Sequence, residues 1–125
     1  MQILIVEDFQ GDIALLISRL GALGCDVLVA TSGEEGFDLA KAHLPAMILT
    51  DLNLGKGMAE GIDMIARLRQ DPATAAIPLL IHSVYVSTPG DVAEVTALAD
   101  GFLPKPYKFG DLAKLIEKLR SATVS

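Results

Sequence analysis

The sequence predicts an α/β domain: a five-stranded parallel sheet with helices on both faces. Three observations lead there. Residues 3–6 and 46–50 are short, nearly continuous apolar runs, as strands buried on both faces are. Amphipathic stretches at helical spacing separate such runs, and that alternation builds βαβ units. Cap and turn residues stand at the junctions.

Residues 3–6 are the first strand. Ile13, Leu16, Ile17 and Leu20 then follow helical spacing, and Gly21 and Gly24 end that helix and turn the chain. Residues 25–30 form the second strand. Ser32 and Glu35 make a capping box, so a helix starts there, carries Phe37 and Ala40 inward and stops at Pro45. Residues 46–50 are the third strand, ending abruptly at Asp51. A loop bearing Gly55, Gly57 and Gly61 leads to a helix with Ile62, Ile65 and Ala66 on one face, which runs to Gln70 and is broken by Asp71-Pro72. Residues 77–81 are the fourth strand. Thr88-Pro89-Gly90-Asp91 reads as a helix start: a cap residue, proline at the first helical position, and an acid in the first turn. Residues 101–103 are a short fifth strand, and Leu112, Leu115, Ile116 and Leu119 mark a final amphipathic helix. Residues 1–120 form one domain and residues 121–125 a polar tail.

Composition narrows the function classes. The 125 residues are 51% hydrophobic and lack Trp, so one aliphatic core is expected. A net charge of −6 with no basic run disfavours direct nucleic-acid binding. Cys25 is the one cysteine; it lies in an apolar stretch and is expected to be a small buried core residue. The apolar run at the N-terminus stops at Glu7, too short for a signal peptide, and no run approaches the ~20 residues of a membrane helix. A cytoplasmic location is expected. Met1 immediately precedes the first strand, as a natural start would.

In open α/β sheets the working site lies at the carboxyl ends of the strands. Here those ends carry Glu7-Asp8, Asp51, His82-Ser83 and, after the fifth strand, Pro104-Lys105-Pro106. Clustered carboxylates repel one another unless a counter-charge is present. Mg²⁺ suits such oxygens, using one or two protein carboxylates and keeping several waters. Lys105 supplies a second positive charge. A carboxylate beside a metal, a lysine and a hydroxyl is suited to receive a phosphoryl group, because that transfer needs mainly positioning and charge neutralisation. Taken singly, each residue has a plainer reading. Asp8 or Asp12 would cap the next helix, Asp51 would cap a turn, and Ser83 and Lys105 would be ordinary strand-end and loop residues. Together, at four strand ends, the plainer reading is the weaker one.

Over nearly its whole length the chain resembles the receiver domains of two-component response regulators. The matching pieces are ILIVED, ILTDLNL, GIDMIARLR, IPLLIHS and DGFLPKP followed by an apolar helix. The resemblance implies a doubly wound, flavodoxin-like fold with sheet order 2-1-3-4-5. It implies that Asp51 accepts a phosphoryl group from a histidine kinase or phosphotransfer protein. It implies a Mg²⁺ site made by Glu7, Asp8, Asp51 and the backbone carbonyl of Asn53, with Asp8 the more direct ligand. Ser83 would follow the phosphoryl group, Lys105 would contact one of its oxygens, and Phe102 would change packing with Ser83. The Lys105–Pro106 bond would be cis. Output would pass to a downstream protein through the fourth predicted helix, the fifth strand and the last helix.

Two positions depart from the commonest receiver pattern. Gly55 stands where many receivers have proline, and Val84 stands where a small residue usually follows the switch hydroxyl. The bulk of Val84 suggests slow phosphorylation, slow hydrolysis, or both. Tyr85 is, with Asn53, at a position that often tunes hydrolysis in relatives. His82 is read as a strand-end packing residue, and His43 as a helix-end residue. Three other functions compete. One is a docking module that is not phosphorylated. Another is an aspartate-nucleophile phosphatase, disfavoured because Asn53 replaces its second acid. The third is a flavodoxin-like cofactor binder, disfavoured because Glu7-Asp8 would face the cofactor's phosphate.

Overall fold

The computed structural model describes residues 1–54, 58–84 and 97–123. Its elements are β1 (Gln2–Val6), α1 (Gln10–Ala22), β2 (Asp26–Ala30), α2 (Gly33–His43), β3 (Met47–Thr50), α3 (Ala59–Gln70), β4 (Leu79–Ser83), β5 (Gly101–Pro104) and α4 (Phe109–Thr123). Gly55, Gly57, Tyr85 and the predicted helix start at Thr88-Pro89-Gly90-Asp91 lie outside the described residues. The strands form one sheet in the order β2-β1-β3-β4-β5, and every neighbouring pair is parallel. This is the doubly wound fold that the resemblance implies.

Alternation along the strands makes two cores. In β1, Leu4 and Val6 join Ala40, Met64, Ile65 and Leu68 on the α2–α3 face. Ile3 and Ile5 join Leu16, Leu20, Leu112 and Ile116 on the α1–α4 face. Successive side chains point to opposite faces, so a strand covered on both sides needs apolar residues at every position. The four residues 3–6 are fully buried, each stabilising the fold by roughly 1.5–3 kcal/mol.

Several elements differ in detail from expectation. Gly21 stays inside α1, and Gly24, with φ +82°, makes the turn. Ile17 is 44% exposed because the buried stripe of α1 is Ile13, Leu16 and Leu20. Cys25 is half-buried at the margin of the second core rather than within it. In α3 the buried face centres on Gly61, Met64, Ile65 and Leu68, with Ile62 and Ala66 at its edges. β4 begins at Leu79, two residues later than expected, because the Ile77 N–H turns back to Thr74 O at 3.1 Å. The last helix continues to Thr123, past the expected start of the polar tail.

Caps and one arginine fix the joints. The Ser32 hydroxyl accepts from Glu35 N at 3.1 Å, and the Glu35 carboxylate accepts from Thr31 N at 2.9 Å. Arg69 donates to the carbonyls of Leu98 (2.7 Å), Ala75 and Ile77 (both 2.8 Å), and to Asp100 Oδ2 at 2.9 Å. Asp100 Oδ2 also accepts from Leu79 N at 2.8 Å. One side chain thereby ties the start of β4 to the chain entering β5, the two strands that end at Ser83 and just before Lys105.

Gly61 was expected in a loop, but it lies in α3 against the backbone of Leu52, the residue after Asp51. A Cβ there would lie 2.9 Å from Leu52 Cα and closer still to its carbonyl oxygen. Backbone cannot rotate aside as a side chain can. Gly61→Ala is therefore expected to destabilise the protein by about 1–3 kcal/mol, read from urea unfolding, despite alanine's better helix propensity.

Candidate functional site

Ladder register brings the site residues to one edge. Val6 pairs with Thr50 across β1–β3, so Glu7 and Asp51 leave the sheet side by side. Their backbones remain tied to it: Glu7 N donates to Ala30 O and Asp51 N to Val6 O, each at 3.0 Å. Ser83 pairs with Pro104 across β4–β5, and Lys105 N donates to Ser83 O at 2.9 Å. Leu52 and Leu54 are buried in the first core and anchor the start of the loop after β3.

The centre of the site is one ammonium among three carboxylates. Lys105 Nζ lies 2.9 Å from Asp51 Oδ2, 3.0 Å from Asp12 Oδ2 and 3.5 Å from Glu7 Oε2. Glu7 and Asp51 are 2% and 7% exposed. The other oxygen of Asp51, Oδ1, accepts from Asn53 N at 3.0 Å. Each Asp51 oxygen thus has its own donor, which fixes the carboxylate plane. Burial alone would lower the lysine's pKa, but hydrogen bonds to Asp51 and Asp12 and the charges of Glu7 and Asp51 outweigh it and raise it well above the ordinary lysine value.

Behind Glu7 lies a polar pair, the buried His82 and the half-buried Tyr107. His82 is 1% exposed, its Nδ1 is 2.8 Å from the Tyr107 hydroxyl, and its Nε2 is 3.5 Å from Glu7 Oε2. Burial pushes the Tyr107 phenol up to about 12; the Lys105 charge opposes this, and the charges of Asp12, Glu7 and Asp51 reinforce it.

The structure brings Glu7, Asp51, Asn53 and Lys105 into direct contact through these bonds. Ser83 is fully buried at the end of β4, one strand away from Asp51. Asp8 is exposed beyond β1. Phe102 is half-buried against the first core, on the α2–α3 face. The Lys105–Pro106 peptide is cis. Two contributors were not foreseen. Asp12 does not cap α1, whose N-cap is Phe9 with no side-chain hydrogen bond; it reaches Lys105 instead. Tyr107 is the partner of His82, which is a bonded polar residue as well as a packed one. An acid four residues past Asp8 was the only hint of the first, and nothing local hinted at the second. A cleft of about 440 Å³ opens beside Asp12 and Lys105, lined also by Leu15, Val84 and Phe109.

The raised phenol gives a testable pH dependence. Its folded pKa of about 12 exceeds the ordinary 10.0, so its contribution is complete below pH 10 and is lost as pH rises through 12. Lys105 acts in the same direction from its ordinary value of 10.5 upward, so it shares the alkaline fall with the phenol. Stability should fall between about pH 10 and 12, and Tyr107→Phe should flatten that fall, as measured by urea unfolding at stepped alkaline pH. A near-ultraviolet absorbance titration should lose its late-titrating phenol in the same variant.

The family model described as "Response regulator receiver domain" matches residues 3–117. The KDP operon transcriptional regulatory protein KdpE of Escherichia coli is 35% identical over 98% of this chain and 54% of its own length. Response regulator PleD of Caulobacter vibrioides is 30% identical over 98% of this chain and 26% of its own length. The chain thus spans about half or less of these curated relatives. A putative response regulator from Chloroflexus aurantiacus superposes with a TM-score of 0.85 at 27% identity, covering 96% of this chain and 97% of that one. The receiver domain of a Pseudomonas aeruginosa sensor histidine kinase, with a magnesium ion coordinated in its active site cleft, shares the fold at a TM-score of 0.86 and 20% identity, covering 96% and 97%. The parallel sheet, the acid–lysine cluster at its carboxyl edge and these likenesses agree: the chain belongs to the response regulator receiver domain family.

Proposed function

We propose that this receiver accepts a phosphoryl group on Asp51 from a histidine kinase or phosphotransfer protein, in a Mg²⁺-dependent reaction, and thereby switches binding to a downstream protein. The observation that carries the reading is the state of Asp51. It is a nearly buried carboxylate at the sheet's carboxyl edge, with one oxygen on Lys105 and the other on Asn53 N. Held in that way, it presents an oriented nucleophile, and Lys105 is already within reach of oxygens added to it. Residues 1–120 are the part of the chain to which we assign this role, and we assign it to the cytoplasm. Among the described residues no helix is long and apolar enough to cross a membrane.

The donor set fits a hard divalent cation. Among the described residues no three His, Cys, Asp or Glu side chains are grouped so as to hold a metal by themselves. Mg²⁺ does not require that, because it keeps several waters and takes only one or two carboxylates. Glu7, Asp8, Asp51 and the Asn53 carbonyl would hold it, and it would neutralise charge on the phosphoryl oxygens. Three carboxylates against one ammonium leave negative charge for it to offset. The switch we assign to Ser83 and Phe102: modification of Asp51 draws the Ser83 hydroxyl toward it, and Phe102 repacks, altering the face of β5 and α4.

Intact-mass analysis after incubation with acetyl phosphate tests the reading. Wild type should gain one phosphoryl group only when Mg²⁺ is present, and Asp51→Asn should gain none. A wild type that gains none from acetyl phosphate or from a panel of histidine kinases would favour the docking-module reading. In metal-free buffer Asp51→Asn should melt above wild type, by roughly 2–6 °C for each kcal/mol of relieved repulsion. Added Mg²⁺ should raise the melting temperature of wild type more than that of the variant. A sharp fall in the variant's melting temperature would make Asp51 structural.

Val84 is 60% exposed and lines the cleft beside Lys105. Its methyls narrow the approach for donor and water alike. Val84→Ala should raise the rates of phosphorylation and hydrolysis several-fold, read from the time course of the adduct; unchanged rates would remove this role.

A further inference from the structure

We propose that Asp12 is a specificity-determining residue of this site, a charge filter that engages Lys105 at the mouth and disfavours small dianionic phosphodonors. This deepens the reading of Asp51 as phosphoacceptor and rests on it.

The three acids around Lys105 are not equivalent. The side chains of Glu7 and Asp51 are 2% and 10% exposed, whereas that of Asp12 is 36% exposed. Asp12 is therefore the outermost of the three, in the first turn of α1, at the border of the cleft that opens beside Lys105. An ammonium has three donors, and here three acids stand around it: Asp51 at 2.9 Å, Asp12 at 3.0 Å and Glu7 at 3.5 Å. A phosphoryl oxygen that is to bond Lys105 must displace one of them. Asp12 is a competitor that no change at Asp51 removes. Its own charge also faces whatever comes in from solvent.

An acid in this position acts on donors according to their charge. Acetyl phosphate is a dianion near neutral pH. In its reaction an Asp51 oxygen bonds to phosphorus, the bond from phosphorus to the acetate oxygen breaks, and acetate leaves with the electron pair. Phosphoramidate carries one net negative charge and reacts as a zwitterion. The phosphorus–nitrogen bond breaks, and ammonia leaves with the pair, its nitrogen already protonated. Both reactions make the same acyl phosphate, and the intrinsic reactivities of the donors cancel when variants are compared, so a substitution that changes the ratio acts on the difference in donor charge. The filter holds back small acyl phosphates of metabolism and leaves the site to a protein donor.

The test is the second-order rate constant for phosphorylation by acetyl phosphate and by phosphoramidate, in saturating Mg²⁺, at low and high salt. Wild type, Asp12→Asn and Asp26→Asn are compared. Asp26 is exposed at the start of β2, the opposite edge of the sheet, so its variant changes net charge equally without touching the site. Asp12→Asn should raise the acetyl phosphate rate roughly 3- to 10-fold and the phosphoramidate rate less, and should weaken the acceleration that salt gives wild type. Asp12→Glu, which keeps the charge, should retain the wild-type ratio. Equal effects of Asp12→Asn and Asp26→Asn, or equal effects on both donors, would overturn the filter while leaving Asp51 as acceptor. If no form, Asp12→Asn included, takes a phosphoryl group from either donor, the filter falls, and the panel of histidine kinases then decides the receiver chemistry separately.

Discussion

Three carboxylates carried by the β1 end, the first turn of α1 and the β3 end share the ammonium of Lys105, which follows β5. Much else at the carboxyl edge depends on this balance. A buried acid without a counter-charge costs several kcal/mol, so the loops that bear these groups cannot drift apart freely. The ladder bonds Asp51 N to Val6 O and Lys105 N to Ser83 O hold the backbones in the matching register. A slip of one residue in β5 would carry Lys105 to the wrong side of the sheet. Arginine would not serve in its place. Its donors lie in one rigid plane, while the acids here approach from three elements around a single point.

Where chain chemistry changes abruptly, the fold was legible in the sequence. Apolar runs that stop at Glu7 and Asp51 announced two strand ends and, with them, half of the site. Ser32 with Glu35 and Asp71 with Pro72 marked helix boundaries that the structure keeps. The sequence misled where a local pattern met a tertiary demand. Ile77 looks like strand, yet its N–H closes a turn with Thr74. Gly61 looks like loop, yet it is the place where α3 touches the Leu52 backbone. Ile17 has helical spacing but falls beside the buried stripe.

The site divides in the same way. Glu7, Asp51 and Lys105 were readable because strand ends gather by topology. Asp12 and Tyr107 were not, because their partners lie 93 and 25 residues away. No spacing rule links Asp12 to a lysine near the other end of the chain. Nor does a histidine inside an apolar strand reveal that a phenol after the cis proline will meet it. Such pairings arise from how α1 and the β5–α4 connection pack, and they become visible only in three dimensions.

The hydrogen bond between Tyr107 and His82 has a practical consequence. The chain has no tryptophan and two tyrosines. Its intrinsic fluorescence therefore comes from two phenols, and one of them is bonded to a buried imidazole that stands 3.5 Å from Glu7. The protein carries its own optical reporter a few ångströms from the acid cluster, with no bright indole to mask it. Tyrosine emission can follow events at this site without a label.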